Sequence, residues 1–209
     1  MKVLQQLFGR PRSADKIARI EPAEFRDVMR EIASPVAIVA AGSPGRRNGL
    51  TATAVCSVSD TPPTVLVCVR RNARAHDDIL APGCFSINFL SADQEDVAVQ
   101  FSGARGIHGE DRFSAGDWTT GLSGAPILRE ALCTLECQLA GTQLVATHSI
   151  IFGELVDTHK CESIAALLYR RGRYQSLPQL SASRRLHDAV AAGEGRHAVS
   201  VDQIAMSLD

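Results

Sequence analysis

The chain has 209 residues, 45% hydrophobic and 22% charged, with a net charge of −1. That is ordinary globular composition, and the length is enough to bury a full core without staples. The near-neutral charge offers no electrostatic argument for nucleic acid or an anionic membrane, and an aromatic content of 5% argues against single-strand stacking platforms.

Residues 1–20 read as a polar tail. Their brief apolar patch before Arg10, Pro11 and Arg12 is too short for a secretory signal, and no run in the chain approaches the ~20 residues of a membrane span. A helix is expected from Glu21 and Pro22, with Phe25, Val28, Met29 and Ile32 forming one apolar stripe, ended by Ser34-Pro35. VAIVAA, residues 36–41, is a buried strand, turned by GSPGRRNG into a second strand. That second strand opens NGLTATAVCSVSDTPPTVLVCV, residues 48–69, which reads as two strands joined by a polar double-proline turn. A short helix at about 74–81, a strand at 84–90 and an amphipathic segment from Gln94 to Phe101 follow. Residues 102–125, rich in Gly and charge, read as one long loop of the kind that forms lids or binding loops. Strands are expected at 132–140, at about 148–158, and as a hairpin broken by Gly172 within 166–177.

The strand pattern then stops. Residues 179–209 form an expected helical extension, with helices around 184–192 and 200–207, beside a domain spanning 21–178. Strands outnumber helices and most connections are short, so an antiparallel β-barrel with short flanking helices fits better than a parallel α/β sheet. No GxGxxG opens a βαβ unit, which removes support for a Rossmann fold. The six cysteines show no CxxC spacing or paired Cys/His cluster, so no metal site is expected, and a reducing, cytoplasmic setting fits them best.

Two features carry chemistry. Asn48, Gly49, Leu50, Thr51, Ala52, Thr53 and Ala54 put small side chains and hydroxyls where a core strand normally carries bulk. A flat ligand can lie against such a strand, although close packing of a neighbouring strand would select the same residues. The next strand ends in Cys68 and Val69 and runs into Arg70, Arg71, Asn72, Ala73 and Arg74, a basic turn able to hold an anion. Asn72 is positioned to cap the helix that follows. A ring platform followed by an anion clamp suits a phosphorylated aromatic cofactor, with flavin the leading candidate.

These segments, with EFRDVM, CFSINFL, QEDVAVQF, DRFSAGDWTTGLSGAPIL, HSIIFGELV and LLYRRGRYQSL, resemble the short-chain flavin reductases that serve two-component flavin monooxygenases. The resemblance runs over most of residues 24–177; CSVSDTPP with a downstream H-S-x-x-F-G is specific in combination. It implies an FMN-binding split barrel, usually a homodimer, that reduces FMN or FAD with NADH or NADPH and releases the product to a separate oxygenase. It places the ring along Asn48 to Ala54 and the phosphate at Arg70 to Arg74, where this chain has Ala73 and Arg74 in place of the family's frequent Ser or Thr. It also places His148 on the nicotinamide side, against the plainer reading of a strand-end histidine. Asn88, an amide inside an apolar strand, is a candidate for either a flavin or a backbone partner, and Phe101 for covering the ring or for plain core; Arg171 and Tyr174 are candidates for the phosphates of either cofactor, against the reading of a solvated basic face. A non-catalytic flavin- or haem-binding barrel is the competing reading.

Overall fold

The computed structural model describes residues 19–161 and 165–177. The expected tail at 1–20, apart from its last two residues, and the expected helices at 184–192 and 200–207 lie outside the described residues.

Helix α1 covers Pro22–Met29, with Pro22 in the first turn and no residue buried. A short β1 (Ser34–Pro35) follows, then β2 (Ala37–Ala41), β3 (Asn48–Ala52), β4 (Val55–Asp60) and β5 (Pro63–Arg70). Helix α2 (His76–Leu80) leads into β6 (Cys84–Phe89) and helix α3 (Glu95–Phe101). A 3₁₀ turn (Gly109–Ser114) and the small ribbon β7 (Trp118–Thr120) and β8 (Pro126–Leu128) occupy the segment expected as one loop. The long hairpin β9 (Cys133–Val145) and β10 (His148–Lys160) and the short hairpin β11 (Leu167–Arg170) and β12 (Arg173–Ser176) complete the fold.

The main sheet has seven antiparallel strands in the order β3-β2-β6-β9-β10-β5-β4. Its two edges, β3 and β4, are consecutive in the chain. Laid flat, six inter-strand spacings would separate them by about 29 Å. Ala52 and Val55 are only three peptide steps apart, at most about 11 Å. The sheet must therefore curl until its edges approach each other, and the Cys68 N–H, which donates to the Ala54 carbonyl at 3.0 Å, carries the β4–β5 ladder into the crossing. This is an antiparallel split barrel. The expected single strand from Asn48 is two strands on opposite edges, with exposed Thr53 and Ala54 at the crossing.

Strand β2 is buried at every position because both of its faces are covered. Ala37, Val39 and Ala41 point into the barrel with Val67, Phe85, Ile87 and Ile151. Ile38 and Ala40 point outward into a second core with Leu90, Phe101, Phe113 and Leu128. Double burial selects a continuous apolar run where a one-faced strand would alternate. Gly153 in β10 is required by the barrel core, since a Cβ there would lie 2.6 Å from the Phe85 ring and 2.7 Å from Cys137.

Candidate active site

The seam of the barrel opens into a cavity of about 430 Å³, within the size range of small-molecule sites. One wall is the crossing itself, Leu50 to Ala54. Facing it are Cys68, Val69 and Arg70 from the end of β5, then Ala73, Arg74 and Ala75 from the turn beyond. Phe101 and Ser102 at the end of α3 and Arg112 from the 3₁₀ turn close the third side, and His148 stands at the start of β10. His148 pairs in register with Arg70, and its Nδ1 lies 2.9 Å from the Thr147 hydroxyl.

The wall chemistry is lopsided. Among the described residues, the lining carries three arginines and a histidine and no carboxylate. Small side chains on two facing walls leave room for a flat ring, and the guanidiniums supply charge for a phosphate. The residues present therefore fit a phosphorylated flavin.

Several residues expected at such a site lie elsewhere. The Asn48 amide donates to Asp78 at 2.7 Å and its carbonyl accepts the Gly49 N–H, so Asn48 ties β3 to α2. Gly49 is packed shut, with a Cβ position 2.7 Å from the Val39 carbonyl and 3.0 Å from the Phe101 ring. Arg71 and Asn72 are exposed and outside the lining, and α2 starts after Ala75 with no side-chain cap, so Asn72 does not cap it. Asn88 is fully buried on the outer face of the sheet. It donates to the Ile38 carbonyl and Ser86 Oγ and accepts from the Leu128 N–H and Thr134 Oγ1. That network holds β8 on the barrel and leaves no donor for a ligand. Arg171 pairs with Glu31 of the α1 side, and Tyr174 packs on Tyr169 with ring centroids 5.3 Å apart; neither lines the cavity. Thr51 lines it, but its hydroxyl donates to the Ala98 carbonyl at 2.7 Å. Phe101 lines it from within an aromatic cluster, 5.0 Å from Phe113 and 5.3 Å from Trp118.

Ala75, Ser102 and Arg112 are the lining residues that sequence reasoning missed. Arg112 is 6% exposed. Its Nε donates to the Ile107 carbonyl at 2.9 Å and its Nη1 to the Gly49 carbonyl. The turn that carries it is strapped down by Arg47, whose backbone and guanidinium donate to the Glu110 carboxylate while its head lies 4.4 Å from the Phe113 ring centre. Arg47's hydrogen bonds hold the Glu110 carboxyl below its ordinary range, against a smaller opposing effect of burial.

Two polar clusters outside the cavity are structural. His76 Nε2 lies 2.8 Å from Ser149 Oγ and its Nδ1 2.6 Å from Asp77, a serine–histidine–aspartate chain of contacts. Ser149 is 1% exposed and off the cavity, so the chain joins α2 to β10 and presents no nucleophile. Glu136, Asp157 and His159 bring ligand-type atoms within 4.8 Å of one another. Buried Glu136 is already engaged there, accepting from the Ser123 N–H at 2.8 Å, Ser123 Oγ at 2.7 Å and His159 at 3.2 Å. It latches the turn between β7 and β8.

Comparison with known proteins agrees with this architecture. The model of the flavin reductase like domain matches residues 29–178. FMN reductase (NADH) RutF of Pseudomonas syringae pv. syringae (strain B728a) is 40% identical over 162 residues, 78% of this chain and 90% of the relative. The 4-hydroxyphenylacetate 3-monooxygenase reductase component of Pseudomonas aeruginosa is 37% identical over 155 residues, 73% of this chain and 91% of the relative. Among solved structures, BorF, the flavin reductase component of a bacterial two-component tryptophan halogenase, superposes with a TM-score of 0.71 at 31% identity, over 77% of this chain and all of that one. A split barrel open at its seam, matched along most of its length by these relatives, places the chain in the flavin reductase family.

Proposed function

We propose that the chain transfers hydride from NADH to FMN and supplies the reduced flavin to a separate oxygenase component. The observation that carries this is the cavity itself: small facing walls and, among the described residues, three arginines and no carboxylate. The relatives, named as NADH-dependent FMN reductases and as a monooxygenase reductase component, support the choice of donor, acceptor and partner class. FAD and NADPH are the alternatives to be tested in the same assays.

A flavin held in the cavity would supply the hydride-accepting chemistry, at its N5, for a nicotinamide donating from C4. The chain's task is then to bind, orient and exclude water. The crossing from Leu50 to Ala54 and the turn from Ala73 to Ala75, both in the cavity lining, would hold the ring. Arg70 and Arg74 draw the phosphate end. His148, half-buried where β10 begins, lines the cavity and would border the nicotinamide. No protein acid or nucleophile is needed at the reacting atoms, which accords with none being presented.

Anaerobic mixing of the protein, FMN and NADH should bleach the flavin's visible absorbance with turnover. Binding of FMN without bleaching by either nicotinamide would establish the carrier reading instead. A haem carrier has little support here, because His148 is the one histidine in the lining among the described residues and it shares the cavity with three arginines.

Helix α1 exposes Phe25, Val28 and Met29, and Ile32 beyond it is also exposed. That unburied stripe supports a homodimer closed through this region, and sedimentation at micromolar concentration showing only monomer would remove it. The six cysteines are all free, Cys56 and Cys161 exposed, which supports a reducing, cytoplasmic location. No helix among the described residues is long and apolar enough to cross a membrane.

A further inference from the structure

We propose that His76 is a positioning residue for the cavity: through Ser149 it pins the segment 71–76 to the start of β10, and so sets the spacing between His148 and the wall of Ala73, Arg74 and Ala75. The consequence for hydride transfer rests on the reading of the cavity as a flavin reduction site.

The segment leaves β5 after Arg70 and ends on His76, the first residue of α2. Both of its ends are fastened to residues that flank His148. At the near end the Arg71 N–H donates to the Thr147 carbonyl at 3.1 Å. At the far end His76 Nε2 lies 2.8 Å from the Ser149 hydroxyl. Between these anchors the Ala73 N–H donates to the Arg70 carbonyl and the His76 N–H to the Ala73 carbonyl, each at 3.0 Å, so the segment is a pair of tight turns with little slack. Ala73, Arg74 and Ala75 line the cavity from it, and His148 lines the same cavity from between the two anchor residues.

The two anchors differ in kind. The Thr147 contact extends the β5–β10 ladder one step beyond the Arg70–His148 pair and needs no particular side chain. The other joins two buried side chains, His76 at 8% and Ser149 at 1% exposure. An ionised Asp77 only accepts, so the Nδ1 that lies 2.6 Å from it carries the ring hydrogen, and in the neutral ring Nε2 accepts from the Ser149 hydroxyl. That is the one hydrogen bond of the Ser149 hydroxyl among the described residues. A hydrogen bond fixes distance and direction, which non-directional apolar contact does not. Hydride transfer is steep in the placement of two rings, so a wall free to drift against His148 slows it.

Stopped-flow reduction, FMN titration and amide hydrogen exchange on the full chain test this. Ser149→Ala should slow FMN reduction at saturating FMN and NADH about 10-fold, with FMN affinity within about threefold of wild type. His76→Ala should slow it by a similar factor. His76→Gln, whose amide oxygen can still accept from Ser149, should recover part of the rate, and the double alanine variant should be no slower than the slower single one. Amide exchange over residues 70–80 should quicken in Ser149→Ala while that of β2 stays unchanged. A wild-type reduction rate in Ser149→Ala, whatever its melting temperature, would make the contact a strut for stability and overturn the proposal, as would a loss confined to FMN affinity. Unchanged exchange over 70–80 would do the same. If His76→Ala does not fold, the serine variant decides. A wild-type protein that binds FMN and never reduces it with NADH would retire the reductase reading, and the exchange comparison would still decide whether His76 pins the segment.

Discussion

Two turns in this molecule look alike in sequence and do opposite things. RRNAR, residues 70–74, follows β5, and RRGR, residues 170–173, joins β11 to β12. In the second turn Arg170 and Arg171 both close on Glu31, at 3.1 and 2.7 Å, and Arg170 Nε also donates to the Glu31 carbonyl at 2.8 Å. Those guanidiniums are occupied in fastening the hairpin to the segment after α1. In the first turn Arg70 and Arg74 have no carboxylate within 4.0 Å among the described residues, and both line the cavity. A run of arginines therefore says little until its partners are counted: the paired group builds structure and the other remains available to a ligand. Arg47 is an intermediate case, paired with Glu110 and serving the site only by holding down the turn that carries Arg112.

The largest expected effect lies at the mouth of the unpaired side, where His148 faces Arg70 across the β10–β5 ladder. His148→Ala should slow hydride transfer by up to about 100-fold through misplacement of the two rings, with FMN affinity little changed. Stopped-flow reduction across NADH concentrations, beside an FMN titration, separates the two quantities. A collapse in FMN affinity with normal reduction at saturating FMN would make His148 part of the flavin clamp and enlarge the unpaired group.

Arg74→Ala comes next. Losing one charge-assisted contact should weaken FMN about 10-fold or more, leave riboflavin nearly unchanged, and flatten the salt dependence of FMN binding. Equal binding of FMN and riboflavin by the wild-type protein would erase the distinction between the two turns.

Much of this architecture was legible because it follows from patterns that burial enforces. Continuous apolar runs marked β2 and β6, and alternation with tight turns marked the hairpins, since those patterns decide which face meets a core. The crossing at Thr53 and Ala54 was hidden, because a strand that leaves one sheet edge and joins the other keeps the same local composition. The cavity's other side was hidden for a different reason. Arg112 reaches it only because Ile107 and Gly49 carbonyls aim its head, and no local pattern encodes a contact 63 residues away. Asn88 and Thr51 show the converse. Each was a reasonable ligand donor by type, and each is engaged by the protein's own backbone, Asn88 at Ile38 and Leu128 and Thr51 at Ala98. Residue type announces hydrogen-bonding capacity, and only the fold says whether any is left over.

The intermediate case can be sharpened by pH. Hydrogen bonds from Arg47 hold the Glu110 carboxyl below its ordinary range. A carboxylate depressed in the folded state contributes stability that is complete above its unfolded pKa and is lost as pH falls through the lower folded value. Glu110→Gln should therefore cost roughly 1 kcal/mol at neutral pH, the upper end for a pair still wetted by solvent. The gap to wild type should close as the solution is taken below the ordinary glutamate range. A gap that persists unchanged in acid would assign the effect to packing of Arg47 on Phe113 instead of to the charge pair.

The smallest expected effect is on the paired turn, and it carries the comparison's sharpest negative claim. Arg171 is exposed, its carboxylate partner Glu31 is exposed, and both are wetted by solvent that screens their attraction. Arg170 still reaches the same carboxylate and the Glu31 carbonyl when Arg171 is gone, so the hairpin keeps an anchor. Arg171→Ala should thus leave FMN affinity, its salt dependence and the reduction rate unchanged, with at most a slight fall in melting temperature. The matched measurement is the FMN titration at low and high salt used for Arg74→Ala. A drop in FMN affinity comparable to that of the Arg74 variant would show that the second turn reaches the ligand after all, and that an ion pair in the unliganded chain does not mark an arginine as unavailable.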